Sequence, residues 1–199
     1  MSKLILASVS KRRQEILKNT GYEFDIIVPD VDEDSLGELA PSKLVVELAK
    51  LKACEVISKA PKDAVILAAD TVVFFKGTVL GKPKDKTHAQ SMLEALSGNM
   101  HHVYTGVCIC DRANNNEISF CEKAAVHMSP MKKEEIDAYI ETGQPMDKAG
   151  SYGIQGPGGL FVSGIEGDFF AVCGLPVNRV YNALKDMGIY PKMKNTDYI

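Results

Sequence analysis

Ala64-Val65-Ile66-Leu67-Ala68-Ala69-Asp70-Thr71-Val72-Val73 is the segment from which the rest of the chain can be ordered. Its apolar run has the length of a strand, not of a membrane span, and reads as the most buried strand of the protein. Lys76-Gly77 then reads as a hairpin turn, with Thr78-Val79-Leu80 as the return strand. Asp70 interrupts the run. A carboxylate inside an apolar strand is costly unless it is paired or bound to a metal. Placed at a strand end facing a cleft, it would serve as a metal ligand or as a base that deprotonates water. A turn or capping aspartate is the bland alternative.

Working toward the N-terminus, Ser42 can cap a helix running to about Lys59, with Leu44, Val45, Leu48 and Leu51 on its inner face. An acidic, turn-rich stretch fills residues 29–41, and Phe24 to Val28 reads as a strand. Leu4 to Ala7 reads as a short buried strand, followed by a Ser8-Val9-Ser10 loop and a helix from Lys11 to Thr20 closed by Gly21. Toward the C-terminus, helices are expected over Thr87–Leu96, Lys132–Thr142 (capped by Ser129) and Pro176–Met187. Strands are expected over His101–Cys110, Glu117–Met128 and Leu160–Ile165, with a glycine-rich loop at 147–159. Helices and strands alternate at first and a hairpin dominates the middle. That order predicts an α/β fold with a mixed twisted sheet flanked by helices, and two lobes around a central cleft. Residues 1–190 read as one domain and 191–199 as a polar tail.

The composition narrows the function classes. At 45% hydrophobic residues a full core can form, and no run of the sequence has the length of a secretory signal or membrane span. The cytoplasm is the default location. A net charge of −3 argues against a general nucleic-acid binder. The five cysteines are scattered without a CxxC pair, which indicates neither a zinc site nor a disulfide framework. Cys108 and Cys110 fall on one face of a strand and read as packing thiols. There is no GxxxxGK[ST] and no GxGxxG after the first strand, so neither common nucleotide-binding loop is present. His101 and His102 are adjacent in a strand, face opposite ways and read as structural or surface residues.

Four segments carry chemistry. Ser8-Val9-Ser10-Lys11-Arg12-Arg13 places three cations in the first turn of a helix, where the dipole disfavours them by roughly 0.3–1 kcal/mol each. A bound anion reverses that sign, and Arg forks hold phosphate oxygens well. The alternative is a solvated basic patch. Asp70 with Thr71 is the second. Gly81-Lys82-Pro83 is the third, a fixed loop whose lysine is either a phosphate contact or a surface turn. The fourth is the loop from Met146 to Gly156, where glycines permit close approach of backbone to a ligand and Gln155 offers both a donor and an acceptor. Lys52 and Glu33 are weaker singles.

Taken in order, these segments resemble the Maf family of nucleotide pyrophosphatases. The ordered set is Ser8-x-Ser10-x-Arg12-Arg13, Asp32-Glu33, Lys52-Ala53, Ala69-Asp70-Thr71-Val72, Gly81-Lys82-Pro83, Leu96-Ser97-Gly98, Val103-Tyr104-Thr105-Gly106-Val107, Asp147-Lys148-Ala149-Gly150-x-Tyr152-Gly153-Ile154-Gln155-Gly156, Gly167-Asp168 and Gly174-Leu175-Pro176. The resemblance implies a fold similar to the inosine triphosphate pyrophosphatases and hydrolysis between the α and β phosphates with Mg²⁺ or Mn²⁺. It implies that Asp70 is the catalytic base or holds the metal, that Glu33 assists with metal or water, and that Arg12, Lys52 and Lys82 grip the phosphates, helped by Arg13 and Ser8. Arg12, Thr71 and Gln155 match the specificity positions of the dTTP/UTP subgroup. A small-molecule nucleotide is therefore the expected partner, and the family implies a homodimer. The alternatives are a 7-methyl-GTP or purine specificity, and a nucleotide-binding regulator of septum formation. Lys11 stands where the family usually has proline, Ala171 where asparagine is usual, and Asn99-Met100 where a polar pair is common.

Overall fold

The computed structural model describes residues 3–192, and the expected tail lies, from residue 193 on, outside the described residues. The elements are β1 (Lys3–Ala7), α1 (Lys11–Asn19), β2 (Asp25–Ile26), α2 (Pro41–Ile57), β3 (Ala64–Phe75), β4 (Thr78–Leu80), α3 (Lys86–Leu96), β5 (Met100–Asp111), β6 (Asn116–Met128), α4 (Lys133–Glu141), β7 (Val162–Glu166), α5 (Phe169–Val172) and α6 (Val177–Asp186). They build a seven-stranded sheet in the order β2-β1-β3-β5-β6-β7, with β4 paired to β3 off this path. β1 runs parallel to both β2 and β3, and the remaining pairs are antiparallel. The mixed sheet expected from the sequence is thus present.

Side chains alternate along the central strands and divide the core. Leu4, Leu6, Val65, Leu67 and Ala69 pack with Ile16 and Leu17 of α1 and Val180 and Leu184 of α6 on one face. Ile5, Ala7, Ala64, Ile66 and Ala68 pack with Ala49, Ala53 and Val56 of α2 on the other. Farther along β3 and β5, Val73 and Val103 enter a third cluster with Leu93 of α3 and Ile136 and Ile140 of α4. Two clusters at one end of the long strands and one at the other correspond to the two expected lobes.

β3 is where they meet. β5 pairs with it from Val65 to Phe74 and so occupies one edge throughout. The other edge is shared: β1 covers Ala64 to Ala68, and β4 covers Val73 to Phe75. Residues 69–72 are bare between them, which opens a notch in the sheet. Asp70 therefore sits inside a twelve-residue strand rather than at its end. It faces a cleft because its neighbour strand stops.

The second difference concerns α2. Its N-cap is Ala40, with Pro41 in the first turn, and its buried stripe is Val45, Leu48, Ala49, Lys52, Ala53 and Val56. Leu44 and Leu51 are only half-buried. The cause lies on β5. A Cβ built on Gly106 would come within 2.2 Å of the Val45 carbonyl oxygen. The helix backbone rests on this glycine, and close approach selects the small residues Ala49 and Ala53 for the inner face. Lys52 is carried inward with them. Elsewhere the differences are of boundary: β2 is shorter than expected, Lys132 rather than Ser129 caps α4, and Pro176 is the N-cap of α6.

Candidate active site

The notch opens into a cavity of about 760 Å³ lined by Ser8, Arg12, Arg13, Glu33, Lys52, Asp70, Thr71, Lys82 and Gln155, among others. Every residue to which the family resemblance gave a site role lines this hollow.

Its floor is an ion triad. Lys52 Nζ lies 2.5 Å from Asp70 Oδ1 and 2.7 Å from Glu33 Oε1. Lys52 and Asp70 are buried, whereas Glu33, on the short helical turn from Glu33 to Leu36, is half-exposed. Burial raises the Glu33 pKa, but the Lys52 hydrogen bond and the charges of Lys52, Lys82 and Arg13 outweigh it and hold the carboxyl below its usual range. Two carboxylates around one ammonium leave a net negative charge. Lys52 thus offsets only half of the charge of the acidic floor, in addition to any contact it makes with a substrate phosphate.

One wall is the start of α1. Ser10 is the N-cap, and the helix directs its N-terminal turn to the cavity. Arg13 is tied down: its Nε donates to the Gly174 carbonyl at 2.8 Å and a terminal nitrogen donates to Thr71 Oγ1 at 3.0 Å, with Ser8 Oγ 3.5 Å away. Gly174 has a φ of +102°, a conformation that suits glycine and turns its carbonyl toward Arg13. Burial lowers the Arg13 pKa and Asp70 opposes that shift. An arginine stays charged under either influence. Arg12 projects more freely, and its guanidinium approaches Asp147 Oδ2 to 3.8 Å.

Asp70 and Thr71 point to opposite faces of β3. Thr71 is opposite Thr105 in the sheet, and the two hydroxyls lie 2.8 Å apart. Thr105, fully buried, donates in turn to the Ala171 carbonyl at 2.8 Å. A relay therefore runs from Arg13 through Thr71 and Thr105 to the turn at 171–174. Thr105 and Asp147 were not picked out as individual site residues from the sequence, although both belong to the quoted motifs. A threonine inside an alternating strand carries no local signal, since the type is common there. Lys82 is exposed on the β4–α3 loop, and Gln155 is exposed on the 147–159 loop, whose Gly150 N–H donates to the Gly81 carbonyl at 3.1 Å. The segment that carries Gln155 is braced by Lys148, whose Nζ donates to the Gln144 carbonyl and to Asp147, each at 2.6 Å. His101 is buried and bonds the Tyr152 hydroxyl at 2.7 Å, while His102 points the other way and is half-exposed.

The sequence profile of a family described as "Maf-like protein" matches residues 3–187. The chain belongs to the Maf family. Among its relatives is the dTTP/UTP pyrophosphatase of Clostridium novyi (strain NT), 50% identical over 190 residues that cover 94% of this chain and 98% of that one. The dTTP/UTP pyrophosphatase of Carboxydothermus hydrogenoformans is 49% identical, covering 94% and 99%. Among solved structures, the Staphylococcus aureus Ham1 protein matches with a TM-score of 0.47 and 12% identity, covering 66% of this chain and 74% of that one. Among the described residues of this Maf chain, no helix is long and apolar enough to cross a membrane. Two departures from the usual Maf pattern can now be placed. Lys11 is an exposed residue lining the cavity, where it adds positive charge. Ala171 is buried and contributes its backbone carbonyl to the Thr105 relay.

Proposed function

We propose that this Maf chain hydrolyses nucleoside triphosphates, with dTTP and UTP favoured, to the monophosphate and pyrophosphate. The observation that carries the reading is the convergence of Asp70, Glu33 and Lys52 with Arg12 and Lys82 on a single hollow. The relatives named dTTP/UTP pyrophosphatase, similar along nearly their whole length, support the substrate class.

Phosphoryl chemistry is mostly positioning and charge stabilisation. Arg12 and Lys82 bind the triphosphate at the mouth, and the N-terminal turn of α1 adds its backbone N–H groups. Arg13, already bonded to Thr71 and Gly174, holds that wall in place. Asp70 accepts a proton from the water that attacks the α-phosphorus, and pyrophosphate leaves. Lys52, bonded to one Asp70 oxygen, orients the carboxylate. Gln155 presents its amide to a pyrimidine edge at the rim.

The donor set fits a divalent ion. Glu33 and Asp70 are hard carboxylate oxygens that converge on one cation, Lys52 Nζ, as Mg²⁺ and Mn²⁺ sites require. These two residues would hold the metal, which would supply charge neutralisation at the reacting phosphates. Asp70→Asn is near-isosteric and is expected to keep the fold while lowering turnover at least 100-fold, on the scale of general-base catalysis. Pyrophosphate release from dTTP, UTP, ITP and 7-methyl-GTP tests both activity and specificity. Near-wild-type turnover by Asp70→Asn would remove its assigned role, and a preference for ITP or 7-methyl-GTP would remove the pyrimidine assignment. Nucleotide binding without turnover in Mn²⁺ would favour a sensing regulator.

A further inference from the structure

Away from the nucleotide cleft, three metal-ligating side chains converge on the α2 face of the sheet. Cys108 and Cys110 are two apart on β5 and so share a face, with their sulfurs 3.5 Å apart. Glu117 of β6 stands directly opposite Cys110 in the antiparallel register. Its carboxylate lies 3.7 Å from Cys110 Sγ, and single ligand atoms of all three residues fall within 4.8 Å of one another. We infer that Cys108, Cys110 and Glu117 form a binding site for one borderline-soft divalent cation of the zinc type.

The distances carry the argument. Tetrahedral zinc with Zn–S of about 2.3 Å sets two thiolates about 3.75 Å apart, and with Zn–O of about 2.1 Å it sets a thiolate and a carboxylate oxygen about 3.6 Å apart. The observed 3.5 and 3.7 Å are within a few tenths of an ångström of those separations. The Cys108 thiol needs only a small movement toward Glu117 to close the third side. A disulfide fits less well. Strand rise places the two Cα atoms about 6.7 Å apart, at the upper limit for a bridge, and the sulfurs would have to close to about 2.05 Å.

The surroundings provide a route and a charge balance. Cys108 is fully buried, Cys110 is slightly exposed and Glu117 is exposed, so donors descend from the surface into the core. Lys50 of α2 places a positive charge close enough to influence Cys108. Three protein donors leave one position for water, a pattern that binds reversibly rather than as a closed structural site. No cysteine spacing announces the site, because the third ligand comes from the neighbouring strand.

Co²⁺ added under reducing conditions to the Cys54→Ser/Cys121→Ser protein, which lacks the two more accessible thiols, tests it. One equivalent is expected to give a thiolate-to-cobalt charge-transfer band that Zn²⁺ abolishes by displacement. Cys110→Ser in that background is expected to lose the band, and the surface variant Glu117→Gln to weaken Co²⁺ binding at least tenfold. Both are expected to keep dTTP hydrolysis, since neither residue lines the cleft. Absence of a thiolate band, or a band that persists in Cys110→Ser, overturns the site. Co²⁺ held only by Glu33 and Asp70 would give no such band.

Discussion

At the scale of single residues, Lys52 is the most informative side chain. It is buried against Asp70 and bonded to Glu33, so it occupies the place between two carboxylates that a divalent cation would need. The ammonium and a divalent ion would therefore compete for the same oxygens. Lys52→Met keeps the stem length and removes the charge. Without nucleotide it is expected to bind Mn²⁺ roughly tenfold more tightly, a change of about 1.4 kcal/mol. Titration calorimetry with Mn²⁺ alone measures this, and equal or weaker affinity in the variant would show that Lys52 does not compete. Turnover on dTTP is expected to fall in the same protein, because Asp70 loses the partner that orients it. Affinity and rate thus move in opposite directions, an outcome that simple loss of fold would not produce.

At the scale of elements, the site depends on how closely α2 lies on the sheet. Gly106→Ala would drive a methyl group into the Val45 carbonyl, and the obstruction is backbone, which cannot rotate aside. The helix must lift, withdrawing Lys52 from Asp70. A loss of about 1–3 kcal/mol in urea unfolding is expected for such overpacking, together with weakened dTTP hydrolysis. Unchanged stability would mean that α2 does not bear on this glycine. The same contact explains what the sequence left unread. The buried run of β3, the Lys76-Gly77 hairpin and the β5–β6 pair were legible because alternation and turn residues are local signals. The phase of α2 was legible only in part: Val45 and Leu48 lie inward as expected, but the large apolar Leu44 and Leu51 do not. Helix-to-sheet distance, a tertiary quantity set by Gly106, kept Val45 and Leu48 on the inner face but placed Ala49, Lys52 and Ala53 beside them in place of Leu44 and Leu51. The site residues were recognisable as an ordered set, yet the notch that exposes Asp70 follows from where β1 ends and β4 begins on one edge of β3. The Thr71–Thr105 relay likewise needs the β3–β5 register, which no single segment contains.

At the scale of the whole molecule, the lobe built on α3 and α4 carries a pH liability of its own. His101 is 1% exposed, bonds the Tyr152 hydroxyl through Nε2, and has no partner for Nδ1 among the described residues. Burial, reinforced by the charges of His102 and His127, pulls its pKa down from 6.5 to about 4. The unfolded chain then binds a proton that the folded chain refuses, so stability is full above about pH 6.5 and declines as the pH falls toward 4. At 1.36 kcal/mol per pKa unit the loss is on the order of 3 kcal/mol, a large part of the stability of an ordinary domain. Urea unfolding between pH 7 and pH 4 should show this slope. Acidic groups held below their usual range, Glu33 and Asp147, add their losses at lower pH, as their carboxylates protonate. The His101→Gln variant stays neutral throughout and can still meet the Tyr152 hydroxyl. It is expected to be nearly flat from pH 6.5 to about 5, where the parent already declines. A variant that declines in parallel with the parent would place the acid sensitivity elsewhere. Because Tyr152 lines the nucleotide cavity, protonation of His101 also alters the contact that holds the wall facing the substrate. Acid is therefore expected to raise KM for dTTP in the parent below about pH 5 while leaving KM in His101→Gln less affected, and initial-rate measurements across that range distinguish the two.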